Sequence, residues 1–257
     1  MNQRAIILAA GRGSRLHPYT EGMPKCRTEL AGIALIDRQI ATLQVCGIDD
    51  IVIVTGYRRE DLALPGTREV HNPAWAETNM VESLFCAKDL FTDDVIVSYS
   101  DIVYNAAVLE ALLTADHPSS VIVDTAWRSY WAARFENPED DAETLKIGPD
   151  GCITDIGNPI ENIDDVEGQY IGLMRFQRDG IRDLIETREA LGKTHRAWMD
   201  RRPLAQAYMT DLLTEMILKE KAPYAVPVDA GWLEIDTVSD LDLAQNLFKD
   251  NTVVRPQ

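Results

Sequence analysis

The sequence predicts an α/β fold: a mixed, mostly parallel, Rossmann-like sheet flanked by helices, with a small antiparallel lobe inserted. Short β-branched apolar runs alternate with helical patterns through the first half of the chain. A hairpin signal then interrupts that alternation, and helices resume after it. No repeat, low-complexity tract or Gly/Ser linker divides the 257 residues, so they read as a single domain with the lobe at roughly 125–175.

Arg4–Ala10, RAIILAA, is short, apolar and β-branched, the pattern of a buried strand. Ala34–Gly47 has helical spacing and a terminal glycine. Asp50–Gly56, DIVIVTG, is a second buried strand. Thr78–Phe91 is helical, with Thr78 or Asn79 as its cap. DVIVSYSD is a strand that ends in Asp101, AAVLEALLTAD is a helix, and SSVIVDTAW is a strand. Glu143–Gly157 then reads as a hairpin turning at Pro149-Asp150-Gly151. QYIGLMRF is a strand, and helices follow at Arg178–Leu191 and roughly Leu204–Lys219. YAVPVD and GWLEID are short strands before the closing helix TVSDLDLAQNLFKD.

Charge is unevenly spread. The formal net charge is -17, yet residues 1–28 carry five Lys/Arg against one acid. A negative bulk field disfavours nucleic acid and anionic membranes as partners. A local positive patch within it suits a small anionic ligand. The four cysteines are far apart and form no C-x-x-C pair, which argues against zinc or a disulfide framework and fits a reducing compartment. With no signal peptide and no apolar run of membrane-spanning length, the chain reads as cytoplasmic.

The segment LAAGRGSRLHPYTEGMPK, Leu8–Lys25, carries the strongest chemical signal. A strand that runs into a glycine-rich loop exposes backbone N–H groups at the carboxyl end of a sheet, which suits phosphates. Gly11 and Gly13 permit close backbone approach, and Arg15 and Lys25 add charge on long stems. A dinucleotide fingerprint needs glycine three residues after Gly13, where Leu16 stands; a Walker A loop needs G-K-[ST], which is absent. A loop of this length is usually functional.

The run Leu8, Ala9, Ala10, Gly11, Gly13, Arg15, Leu16, Pro18, Thr20, Pro24, Lys25 resembles, residue by residue, the signature of nucleotidyltransferases that activate phosphorylated small molecules. The resemblance implies the nucleotide-diphospho-sugar transferase type of fold. It also implies that the loop, Ser14 included, wraps a nucleoside triphosphate, that Arg15 binds phosphate and that Lys25 neutralises the reacting phosphoryl groups. Asp101 stands where the family places a metal-binding aspartate at a strand end, although Ser100-Asp101 replaces the common Gly-Asp. GWLEIDTVSDL resembles the second metal segment, with Asp236 as ligand. Glu234 lies two residues before Asp236, on the same face of a strand, and is a third candidate. Mg²⁺ is the implied cofactor. Asp236 also reads as an N-cap for the helix that follows.

TNMVESLFCAKD and WLEID are similar to the phosphocholine and 2-aminoethylphosphonate cytidylyltransferases, in which a T-N-x-x-x-S-L helix lies by the base; Asn79 and Ser83 are the matching positions. VSYSDIVY, DAETLK and QYIGL resemble the phosphoglutamine cytidylyltransferases of capsule synthesis. CTP and a small phosphorylated acceptor, with an amino group, are the implied substrates. The acceptor's phosphate, already largely dianionic with a second pKa of about 6, needs no general base to attack the α-phosphorus and expel pyrophosphate. Positioning and charge stabilisation then carry catalysis. Lys146 is the candidate for the acceptor phosphate. Trp127 and Trp131, near acidic residues, suit a cationic group, although aromatic clusters also pack cores. Tyr170 and Gly172 lie where family members close the acceptor pocket. Two other readings stay open: a sugar 1-phosphate nucleotidyltransferase, and a nucleotide-binding regulatory module without catalysis.

Overall fold

The computed structural model describes residues 3–62, 64–194 and 202–249. The chain begins with β1 (Gln3–Ala9), a small β2–β3 hairpin (Glu29–Leu30 and Ile33–Ala34), α1 (Leu35–Val45), β4 (Ile51–Thr55) and β5 (Arg68–His71). It continues with α2 (Met80–Cys86), β6 (Asp94–Tyr99), β7 (Ile102–Tyr104), α3 (Ala106–Thr114) and β8 (Ser119–Asp124). The middle segment holds α4 (Trp127–Arg134), β9 (Glu143–Ile147), β10 (Ile153–Pro159) and β11 (Gln169–Gln177). Then come α5 (Arg178–Thr194), α6 (Met209–Leu218), β12 (Tyr224–Val228), β13 (Trp232–Glu234) and α7 (Val238–Lys249).

Seven strands form one sheet in the order β12-β8-β11-β6-β1-β4-β5. All neighbouring pairs are parallel except those of β11, which runs antiparallel to both β6 and β8. Side chains alternate across β1: Ala5, Ile7 and Ala9 face one layer, Ile6 and Leu8 the other. The first layer is closed by Ile36 and Leu43 of α1 and Leu109 and Leu112 of α3. The second is closed by Leu84 of α2, Leu184 of α5 and Leu212 and Leu213 of α6.

Three boundaries differ from the sequence expectations, and a fourth lies outside the described residues. The stretch expected as one helix over Thr78–Phe91 is divided into α2 and a 3₁₀ turn at Lys88–Leu90. The helix expected near Leu204 starts at Met209, because residues before it are used to satisfy α2: Ala205 and Ala207 carbonyls accept from Asn79 and Val81 N–H at 3.0 and 3.4 Å. Asp250, at the end of the expected closing helix, lies outside the described residues. The departure from the main sheet is also narrower than 125–175, because Gln169 pairs with Asp124 and the QYIGLMRF strand returns to the middle of the sheet.

An internal brace fixes β11 there. Arg175 donates to both oxygens of Asp94 on β6 at 2.8 Å, and its Nη1 donates to the Leu113 carbonyl, near the end of α3, at 2.6 Å. Both side chains are buried. The ion pair is therefore hydrogen-bonded on both partners, the condition under which burial of charge is tolerated.

Candidate active site

The glycine loop leaves the carboxyl end of β1 and turns at Gly13, whose φ is 70°. That left-handed backbone suits glycine, and so does the crowding: an added Cβ would lie 2.6 Å from Lys25 Cβ. Lys25 sits in a 3₁₀ turn, Lys25–Arg27, with only 9% of its side chain exposed. Its Nζ donates to Asp101 Oδ2 at 2.7 Å and to Asp236 Oδ1 at 2.6 Å. Burial alone would lower the pKa of the Lys25 ammonium, but the two carboxylates outweigh it and hold it above the usual value. The exposed Arg15 guanidinium forms an ion pair with the other oxygen of Asp236.

Asp236 is free for this role because another residue caps α7. Thr237 Oγ1 accepts from Asp240 N–H at 3.2 Å, and Asp240 Oδ2 accepts from Thr237 N–H at 2.9 Å. This reciprocal capping box occupies T-V-S-D. Asp240 also holds Arg134 at 2.9 Å, and Arg134 pairs with Glu234 at 2.6 Å.

A hollow of about 270 Å³ is lined by Leu8, Ala10, Gly11, Gly13, Ser14, Arg15 and Lys25 from the loop side. Asn79 and Ser83 of the α2 region, Ser100, Asp101 and Asp236 complete it, with Trp75, Thr78, Met80 and Tyr99. Ala9 is not among them; its side chain is turned into the α1–α3 layer by strand alternation. A second hollow of about 340 Å³ shares Arg15, Met80 and Tyr99 with the first, so the two join. Trp131, Asp141, Glu143, Tyr170, Gly172 and Glu234 line it, as do Gln169, Tyr208 and Trp232.

Two further expected positions line neither hollow, and a third is engaged by another residue. Trp127 is 1% exposed and packs edge-on against Trp131 at 5.8 Å, so it is core and lines neither hollow. Lys146 is exposed and borders a separate depression with Thr144 and Asp155, on the opposite face of β9 from Leu145. Glu234 lies beside the two aspartates but is engaged by Arg134, and burial pushes its carboxyl up to about 7 against that pull. Sequence reading passed over Tyr99, Trp232, Gln169, Trp75 and Arg134. Trp232, Tyr99 and Gln169 had a local signal, inside GWLEID, VSYSDIVY and QYIGL; Trp75 and Arg134 are brought in by packing. Trp131 Nε1 donates to Asp141 Oδ2 at 3.2 Å, and burial raises the Asp141 carboxyl.

This pairing of an anion-binding loop with two strand-end carboxylates coincides with a family match. The model of the MobA-like NTP transferase domain covers residues 5–195. The chain belongs to this family. Among its relatives, the CTP:phosphoglutamine cytidylyltransferase of Campylobacter jejuni is 38% identical over 250 residues, 93% of this chain and 98% of that protein. The choline-phosphate cytidylyltransferase of Streptococcus pneumoniae is 38% identical over 98 residues, 37% of this chain and 43% of that one. In three dimensions, the CTP:phosphocholine cytidylyltransferase of S. pneumoniae superposes with a TM-score of 0.75 at 22% identity, over 96% of this chain and all of the other. The inositol-1-phosphate CTP transferase of T. maritima gives 0.73 at 18% identity, over 98% of each chain. At those identities the two structures speak for the fold, which is that of the nucleotidyltransferases. No described helix of this NTP transferase is long and apolar enough to cross a membrane.

Proposed function

We propose that this NTP transferase is a cytidylyltransferase. In this reading the phosphate or phosphonate of a small, amino-bearing acceptor attacks the α-phosphorus of CTP, and pyrophosphate leaves. The observation that carries the reading is the convergence of Arg15, Lys25, Asp101 and Asp236 on the first hollow, with Arg15 lining the second as well. Near full-length similarity to a phosphoglutamine cytidylyltransferase supports both the nucleotide and the acceptor class. A place in making capsule or another cell-surface polymer is part of the same proposal and rests on the sequence resemblance of VSYSDIVY, DAETLK and QYIGL.

In this assignment the first hollow holds CTP. Loop N–H groups and Arg15 take the triphosphate. Lys25, already charged and buried, offsets the negative charge that two approaching anions bring together. The second hollow holds the acceptor: Asp141 and Glu143 face its ammonium, and Trp131, Tyr170 and Trp232 enclose its carbon frame. Gly172 lets the Tyr99 ring of that hollow's wall pack against its backbone, because a Cβ there would meet the ring at 2.5 Å.

Asp101 and Asp236 also fit a divalent cation. Asp101 Oδ1 is buried with no hydrogen-bond partner among the described residues, an acceptor suited to a hard ion. Among those residues no group of three or more His, Cys, Asp or Glu is placed to hold a metal. An ion taken here is one that completes its shell with phosphate oxygens and water, as Mg²⁺ does. Such an ion supplies charge neutralisation at the reacting phosphate.

Pyrophosphate release tests the proposal. CTP, UTP, ATP, GTP and dTTP are each offered with Mg²⁺ and phosphocholine, 2-aminoethylphosphonate, phosphoglutamine or glucose 1-phosphate, with Asp101→Asn as the blank. Turnover with CTP and one amino-bearing acceptor is expected. Turnover with a sugar phosphate alone, or CTP binding without any turnover, overturns it.

A further inference from the structure

Two polar side chains of the nucleotide hollow have their acceptor atoms engaged from behind. Asn79 Oδ1 accepts from the Met80 N–H at 2.9 Å, so its Nδ2 end is left to face the hollow. Ser83 Oγ accepts from Asn72 Nδ2 at 3.0 Å. Asn72 is 2% exposed, and its amide cannot be reversed without loss, because Oδ1 accepts from the Ala74 N–H at 3.0 Å. Its Nδ2 serves Thr78 Oγ1 as well, at 3.0 Å, and the Thr78 hydroxyl donates onward to the Ala74 carbonyl at 2.8 Å. The hydroxyl hydrogen of Ser83 therefore points away from Asn72. Ser83 N–H bonds the Asn79 carbonyl at 3.0 Å, which stacks the two residues one helical turn apart on one face.

The wall thus presents two neighbouring donors. Cytosine carries two adjacent acceptors, O2 and N3; uracil and thymine carry a hydrogen on N3 and oppose a donor there. We propose that Asn72 is a positioning residue for nucleotide choice: by fixing Ser83 as a donor beside Asn79, it makes the wall read the O2–N3 edge of cytosine and reject uracil. This rests on the cytidylyltransferase reading and adds to it a residue that does not line the hollow.

Calorimetric titration of CTP and of UTP into the full chain with Mg²⁺ tests it without an acceptor. The wild type is expected to favour CTP. Ser83→Ala should reduce the CTP-over-UTP preference about tenfold, through weaker CTP binding and through loss of the donor that opposes the uracil N3 hydrogen. In Asn72→Asp the carboxylate accepts the Ser83 hydrogen and turns a lone pair toward the base. UTP should then bind more tightly in absolute terms as CTP weakens. Asn72→Ala serves if the buried carboxylate prevents folding; it frees the Ser83 hydroxyl to turn and accept from uracil N3–H, so it should narrow the preference without weakening UTP. A purely structural role for Asn72 weakens both nucleotides alike. An unchanged ratio in the folded Asn72 variants, with a CTP-preferring wild type, overturns this inference alone. A wild type that does not favour CTP overturns the cytidylyltransferase reading itself.

Discussion

The side chain of Lys25 lies flat across Gly13, so close that a Cβ on the glycine would stand 2.6 Å from Lys25 Cβ and 2.8 Å from Cγ. Gly13 and Lys25 stand near opposite ends of the same loop segment, yet the conformation of one sets the position of the other. Gly13→Ala also meets a left-handed backbone, which costs about 1–2 kcal/mol. Displaced Lys25 should lower the rate of pyrophosphate release by about 10²-fold, with a modest loss of thermal stability; a rate within a few-fold of wild type would separate the two residues functionally.

Lys25→Met removes the cation between Asp101 and Asp236. Turnover with CTP is expected to fall by about 10²–10³-fold. Single-turnover measurement at saturating CTP places the loss in the chemical step, and a loss confined to CTP affinity would contradict the assigned role.

Asp141 is held against Trp131 on the acceptor side. Asp141→Asn should raise the KM for an ammonium-bearing acceptor by about tenfold, the scale of one charge-assisted hydrogen bond, and leave the KM for CTP unchanged. Steady-state kinetics with each substrate varied in turn decide this.

Arg175→Met leaves Asp94 charged and buried without its partner. Urea unfolding should show a loss of about 3–5 kcal/mol, while the double variant Arg175→Met with Asp94→Leu should recover much of it.

Hydrogen bonds from Arg4, and secondarily from Arg68, hold the Asp50 carboxyl below its ordinary value of 3.8 against the effect of its partial burial. A carboxylate with a lowered native pKa contributes its stability above the unfolded value and loses it as pH falls through the native one. The wild type should therefore lose stability below about pH 4, and Asp50→Asn should flatten that part of the curve. Denaturant midpoints measured between neutral pH and pH 3 test the sign.

The phosphate loop and its strand were legible in sequence because their signal is local: an apolar run, glycines and basic residues in fixed spacing. The hairpin of β9 and β10 was legible for the same reason, through Pro149-Asp150-Gly151. What local pattern hid was partnership across the sheet. QYIGLMRF reads as a strand, but nothing in it tells that it lies between two strands over 40 residues before it. Lys146 and Glu143 differ by a strand's alternation, which decides that one borders the outer depression and the other the acceptor hollow. Trp127 and Trp131 are one helical turn apart and sit on the same helix, yet only Trp131 reaches a hollow wall. Asn72 carried no motif, since its importance comes from the three groups its amide ties together.

The pairing of Asp124 with Gln169 closes residues 125–168 into a single excursion from the sheet. Both feet of that excursion stand on adjacent rungs, so its length does not enter the register of any strand. Doubling such a loop costs only about 0.6 kcal/mol in closure entropy. Acceptor-facing residues carried on it can be lengthened, shortened or replaced over evolutionary time while the triphosphate machinery, built on other strand ends, stays as it is. One catalytic frame can in this way be fitted with many different heads, and a graft of this segment between relatives is a practical route to new acceptors.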